Sequence, residues 1–127
     1  MAEVLAVDQE KINRFGNLNT QCIALKLELG KLEKKKEGYE EVATDLELVQ
    51  LENDVEVAPY QVGTAFIELP VDTAIEEAQK DGEEMDQKIE EIKSKIAEKK
   101  AEMSLLRGAL YAKFGRDNIN LGNDDDE

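Results

Sequence analysis

Histidine and tryptophan are missing from this 127-residue chain, cysteine occurs once, at Cys22, and proline only twice. Without histidine the chain lacks the side chain best suited to acid-base work near neutral pH and the commonest metal ligand. A single cysteine cannot close an internal disulfide, which fits a reducing compartment. There is no GxxxxGK[ST] loop, GxGxxG, HExxH or CxxC, so phosphate cradling and the common metal chemistries have no candidate residues. Long apolar runs are absent too, and Met1 to Val7 lack the basic start of a secretory signal. A soluble, cytoplasmic protein is therefore expected. Aromatics make up only 5% of the residues, too few for a wide globular core.

Positive charge is also short. Sixteen lysines and arginines face thirty acidic residues, a formal net charge of -14. That balance opposes nucleic acid and anionic membrane surfaces as partners. The nearest basic cluster, Lys34 to Lys36, is flanked by Glu33 and Glu37 and reads as a solvated helix face. The carboxylates sit on solvated faces with no pocket to raise a pKa, so no catalytic residue, cofactor or metal site is expected and the chain does not read as an enzyme.

What is present is periodicity. Leu18, Cys22, Leu25, Leu29, Leu32, Lys36, Tyr39, Ala43 and Leu46 follow alternating steps of four and three, broken in character only by Lys36. Ile75, Ala78, Gly82, Met85, Ile89, Ile92, Ile96, Lys99, Met103, Leu106 and Leu110 do the same. Such heptad spacing keeps one stripe of a long helix against a partner. Asp8 reads as the first N-cap, with Val7 and Ile12 as a hydrophobic staple, and Thr73 with Glu76 as a capping box for the second helix. Gly115 marks its stop.

Both helices come to roughly 60 Å at 1.5 Å per residue, so a reversal between them closes the two seams on each other. With the reversal near Tyr60, Leu46 faces Ile75, Tyr39 faces Gly82, Leu32 faces Ile89, Leu25 faces Ile96 and Phe15 faces Leu106. The link reads as a β-hairpin, with Val55 and Val57 before Pro59-Tyr60-Gln61, a turn at Val62 and Gly63, and Thr64 to Leu69 after it. One domain is expected over 1–127: a helix over about 9–53, a hairpin over about 55–69, a helix over about 73–114, and a flexible acidic tail over about 122–127. The fold class is mainly α, an antiparallel two-helix coiled coil joined by one hairpin.

A lone two-stranded ribbon is marginal in water and its edges invite pairing, so the hairpin predicts assembly with other chains. Gly16, Gly30, Gly38, Gly82 and Gly108 inside the helices, each costing on the order of 1 kcal/mol, also predict a weakly stable isolated subunit. Away from the hairpin, Val4, Leu5, Val7, Ile12 and Phe15 with Leu106, Leu110, Tyr111, Phe114, Ile119 and Leu121 exceed what a two-helix seam covers. Two readings stand for them: an open tip that grips apolar segments, or terminal residues folded back as a cap.

Long helix, hairpin, long helix, together with Pro59-Tyr60-Gln61-Val62-Gly63, Leu110-Tyr111-Ala112-Lys113-Phe114-Gly115, Asn118-Ile119-Asn120-Leu121 and the run from Asp8 to Phe15, resembles the β-class subunits of prefoldin. The resemblance spans nearly the whole chain, although Gly30 and Gly38 depart from the family's first helix. It implies an ATP-independent heterohexamer of two α-class and four β-class subunits whose hairpins join into intersubunit β-barrels. It implies too that unfolded actin- or tubulin-like clients are captured at the coiled-coil tips and passed to the cytosolic chaperonin. On this sequence Val55, Val57, Tyr60, Val62, Phe66, Ile67 and Leu69 would serve assembly. Ile12, Phe15, Leu106, Leu110, Tyr111 and Phe114 would contact clients, and Lys11, Arg14, Lys113 and Arg116 could take part in release. The rival readings are a structural or tethering coiled coil without holding activity and a binder of basic partners through the tail Asp124 to Glu127.

Overall fold

Four elements follow one another in the computed structural model, which describes residues 4–53 and 57–115. They are α1 (Ala6–Asn53), β1 (Val57–Val62), β2 (Ala65–Pro70) and α2 (Val71–Phe114). The chain divides into two units, one of residues up to 28 with those from 92 onward, the other of residues 29–91. Each takes a stretch of α1 and a stretch of α2 and closes its own part of the heptad seam. No helix among the described residues is long and apolar enough to cross a membrane.

In the unit that carries the termini, Phe15, Leu18, Cys22 and Met103 form a buried cluster with Leu106 packed on it. These are the seam residues read from the sequence, and Phe15 and Leu106, expected to face each other, belong to the same packed group. Cys22 Sγ lies 3.9 Å from Met103 Sδ, and the thiol is buried, in keeping with a small apolar side chain in a core. Arg14 clasps Glu102 with both guanidinium arms, at 3.3 and 2.9 Å, and Lys99 donates to Gln21 Oε1 at 2.8 Å.

The start of α1 corrects the expected cap. The helix begins at Ala6, so Leu5 takes the N-cap place, and Asp8 sits one turn in, where Oδ2 accepts the Leu5 N–H at 3.0 Å. An acidic side chain three residues into a helix reaches back to the cap residue's amide, which is the second half of a capping box. The stop of α2 is as expected. Gly115 takes φ 83°, and its N–H bonds the Tyr111 carbonyl at 2.8 Å, a left-handed C-terminal cap that favours glycine.

In the other unit Ala43, Tyr60, Ala74 and Ala78 form the buried cluster, with Leu46 and Leu69 against it. A Cβ placed on Gly82 would lie 3.8 Å from Tyr39 Cβ, so the bulky residue does face the bare one. Lys36, the polar interruption of the first seam, reaches Asp86 at 2.6 Å and Glu40 at 3.8 Å. The Asp86 carboxylate accepts its hydrogen bond and raises the Lys36 pKa. A polar seam position lowers stability but fixes register, because a slipped pairing would leave the ammonium without its carboxylate.

α2 begins at Val71, directly after β2, so Thr73 lies within its first turn and the expected Thr73–Glu76 capping box does not form the start. Asp72 supplies the acidic residue of that turn and accepts from Gln50 Nε2 at 2.6 Å. Val71 and Ala74 are almost fully buried, which draws the helix start tight under the hairpin. Gly16, Gly30, Gly38 and Gly108 have open space where a Cβ would stand, so packing within the chain does not require them.

Candidate functional site

Two surfaces hold the residues singled out from the sequence, one in each unit. The hairpin surface begins with an antiparallel ladder pairing Val57 with Pro70, Ala58 with Leu69, Pro59 with Glu68, Tyr60 with Ile67, Gln61 with Phe66 and Val62 with Ala65. The turn is Gly63-Thr64, one residue later than expected, and Gly63 takes φ 62°, the positive value that two-residue hairpin turns place on glycine. Gln61 Nε2 donates to the Gly63 carbonyl at 3.0 Å.

Side chains alternate across a strand, so the ladder has two faces. Ala58 and Tyr60 turn inward and are buried, and Leu69 is half-buried against the same cluster. Tyr60 donates its phenol to Asp81 Oδ2 at 2.7 Å. Burial, and then that hydrogen bond to a carboxylate, push the phenol well above its ordinary 10.0. Tyr60, grouped with the assembly residues on the sequence, is thus an internal anchor that seats the hairpin on α2. Val57, Val62, Phe66 and Ile67 remain exposed, Phe66 at 68%. An apolar ribbon this open is unusual for a chain that stays alone. Val55, also grouped with assembly, lies outside the described residues.

In the terminal unit the expected contact residues separate. Phe15 is 5% exposed and Leu110 1%; both close the seam and present almost no surface to another molecule. Arg107 lies 5.1 Å above the Phe15 ring, a cation over an aromatic face that covers it further. Ile12, Leu106, Tyr111 and Phe114 are half-buried. The open apolar surface instead comes from Val4, Leu5 and Val7, from Ile23 and Leu27 on α1, and from Leu105, 77% exposed, on α2. Ile23, Leu27 and Leu105 lie off the heptad seam and so were not among the residues read from the sequence. They occupy outer heptad positions, where an apolar residue is itself the signal. Of the charged residues expected at this surface, Lys11 is half-buried and Arg14 holds Glu102; Arg116, Ile119 and Leu121 lie outside the described residues.

Lys113 ties the start of α1 to the end of α2 by pairing with Asp8. The lysine's hydrogen bond, and after it the Leu5 amide, lower the Asp8 pKa; desolvation acts the other way and is outweighed. A depressed carboxylate stabilises the folded state above its unfolded value, here 3.8, and that contribution disappears as pH falls through the lower folded value. The expected result for Asp8→Asn is a lower Tm than the parent at pH 7, with the gap closing at strongly acidic pH. Melts followed by circular dichroism across pH 2 to 7 check this, and a gap that persists in acid would show that the ion pair is not its source.

No group of three or more histidine, cysteine, aspartate or glutamate side chains among the described residues is placed to hold a metal ion. The chemistry these surfaces offer is contact between apolar side chains. A family model described as prefoldin subunit matches residues 9–117. The chain is 35% identical to prefoldin subunit 4 of Saccharomyces cerevisiae over 94% of its own length and 89% of that protein's. It is 30% identical to prefoldin subunit 4 of Homo sapiens over 93% and 86%, and 34% identical to the probable prefoldin subunit 4 of Dictyostelium discoideum over 94% and 87%. Matched over nearly its whole length and built as helix, hairpin, helix, the chain belongs to the prefoldin subunit family, a family of chaperone subunits.

Proposed function

We propose that this chain is a β-class subunit of an ATP-independent hexameric co-chaperone, assembled with two α-class and three further β-class subunits through β-barrels to which its hairpin contributes. In that assembly it holds unfolded actin- or tubulin-like clients and passes them to the cytosolic chaperonin. The observation that carries the reading is the pair of exposed apolar surfaces, Val57, Val62, Phe66 and Ile67 on the hairpin and Val4, Leu5, Val7 and Leu105 in the terminal unit. A chain with 36% charged residues gains nothing in solubility from either surface, and each fits a contact with another polypeptide.

The grip on a client comes from the exposed residues together with the half-buried Ile12, Leu106, Tyr111 and Phe114, while Phe15 and Leu110 hold the seam beneath them. Several subunits touching one client turn weak contacts into a firm hold by raising the effective concentration of each next contact, and no nucleotide is needed. The burial of Phe15 and Leu110 also favours the second reading, a tethering coiled coil whose excess apolar residues close its own end.

One variant separates the two. Changing Val4, Leu5, Val7 and Leu105 together to serine leaves the seam untouched, since surface substitutions typically move stability by no more than about 0.5 kcal/mol each. The assembled complex carrying this variant is expected to lose most of its ability to slow aggregation of denatured actin without ATP, as read by light scattering. Undiminished holding by a correctly assembled variant would favour the tether.

A further inference from the structure

An open groove of about 400 Å³ lies against the hairpin. Val62, Ile67 and Leu69 line it from the strands, Tyr39 from α1, and Glu77 and Asp81 from α2. The walls are therefore mostly apolar, with two carboxylates one helical turn apart on one side. Val62 and Ile67 are 56% and 45% exposed although they stand on the same strand face as the buried Tyr60, so the inner face of the hairpin is only half covered by its own helices.

The charges say what completes it. Like charges at i and i+4 repel each other on a helix. Asp81 spends one oxygen on the Tyr60 phenol, and among the described residues no lysine or arginine forms an ion pair with Glu77 or Asp81. A second copy's hairpin does not relieve them, because the only charged residue between Val57 and Pro70 is Glu68. A copy's hairpin laid in the groove would bring a third carboxylate and no cation.

We infer that the groove receives an apolar extended segment of a non-identical subunit that carries a lysine or arginine, and that this cation lodges beside Glu77 and Asp81. The apolar walls supply contact area and the two carboxylates supply selection, since a partly desolvated acid pair rejects neutral and acidic segments and accepts a basic one. This inference rests on assembly through the hairpin and adds the chemistry of the partner.

The test uses the full chain co-expressed with the other prefoldin subunits of the same organism. Glu77→Gln with Asp81→Asn removes both charges but leaves Tyr60 a weaker, neutral acceptor. Glu77→Gln alone keeps the Tyr60–Asp81 bond, so weakened association in that variant with an unchanged melting curve of the isolated chain separates the charge of the groove from the seating of the hairpin. Native mass spectrometry over a salt series is expected to show association weakened about tenfold or more, with a flatter salt dependence than the parent. Zero-length carbodiimide coupling followed by peptide mapping should join Glu77 or Asp81 to a lysine of a different subunit where the cation is lysine. Parental affinity and salt dependence in the double variant, or coupling to a second copy of this chain, would overturn the inference. Val57→Asp with Phe66→Asp on the opposite face keeps the two ideas apart. Loss of assembly there with an unaffected groove variant rejects the groove alone, whereas assembly that survives both variants rejects hairpin assembly itself.

Discussion

Leu18→Ala is expected to lower the stability of the isolated chain by about 2 to 5 kcal/mol, the range for removing a fully enclosed leucine side chain. Leu18 has no exposed surface and sits among Phe15, Cys22 and Met103, so the deleted atoms leave a cavity that the helices can close only by moving together. A single domain typically has about 5 to 15 kcal/mol in all. This chain, with several solvent-facing glycines in its helices, is expected at the low end, so the substitution consumes much of the margin. Leu27→Ala on the same helix is the control: Leu27 is 66% exposed, and its loss should cost no more than about 0.5 kcal/mol. Urea unfolding of the two variants beside the parent decides the matter. Equal losses would mean that the seam runs along a different face of α1.

The second large effect is expected at Tyr60, where the hairpin is seated. Tyr60→Ala removes a buried ring and its bond to Asp81 at once, with an expected loss of about 3 to 5 kcal/mol by comparison with other buried aromatics. Much of that loss should fall on the hairpin, because a two-stranded ribbon has little stability of its own. Hydrogen exchange of the amides in β1 and β2 should approach the unprotected rate, and assembly with partner subunits should fail. Tyr60→Phe keeps the ring and gives up only a hydrogen bond to a charged acceptor, about 1.5 to 3 kcal/mol.

The two Tyr60 variants also differ in alkali. The folded phenol titrates above its unfolded value of 10.0, so its contribution is complete below that value and is lost as the pH climbs from there toward the folded one. The parent should therefore lose hairpin protection above about pH 10 while Tyr60→Phe, with nothing to ionise at that position, shows no such step. Partner assembly by Tyr60→Ala at parental strength would show that the Tyr60–Asp81 contact does not seat the hairpin.

These results would bear on two parts of the protein that were legible in the sequence to very different degrees. The paired seams, the facing of Tyr39 and Gly82, and the stop at Gly115 could be read directly, because heptad spacing and a helix-ending glycine are local properties of the chain. The caps were less legible. Asp8 and Thr73 are both good cap residues, yet the helices start earlier, at Ala6 and Val71. A carboxylate serves a helix start from one turn inside as well as from the cap itself, and Val71 gains more from burial than the chain loses by forgoing the Thr73 hydroxyl as a cap.

Which apolar residues stay exposed was legible on the hairpin, where Val57, Val62, Phe66 and Ile67 are open, but not in the terminal unit. Phe15 and Leu110, grouped in the sequence with the residues open to contact, are enclosed, whereas Leu105 is 77% exposed. That difference depends on where the partner stretch of helix lies, a contact between residues some ninety positions apart. The same holds for Tyr60: its strand position announces an alternation of faces but not which face is covered, and only Asp81 on α2 makes the inward face the anchored one. By itself the sequence determined two heptad helices and a hairpin that cannot stand alone, since backbone periodicity and turn chemistry act within a few residues. The tertiary structure alone decided which side chains close the seam and which remain exposed, because burial is a property of paired surfaces and not of either strand or helix taken singly.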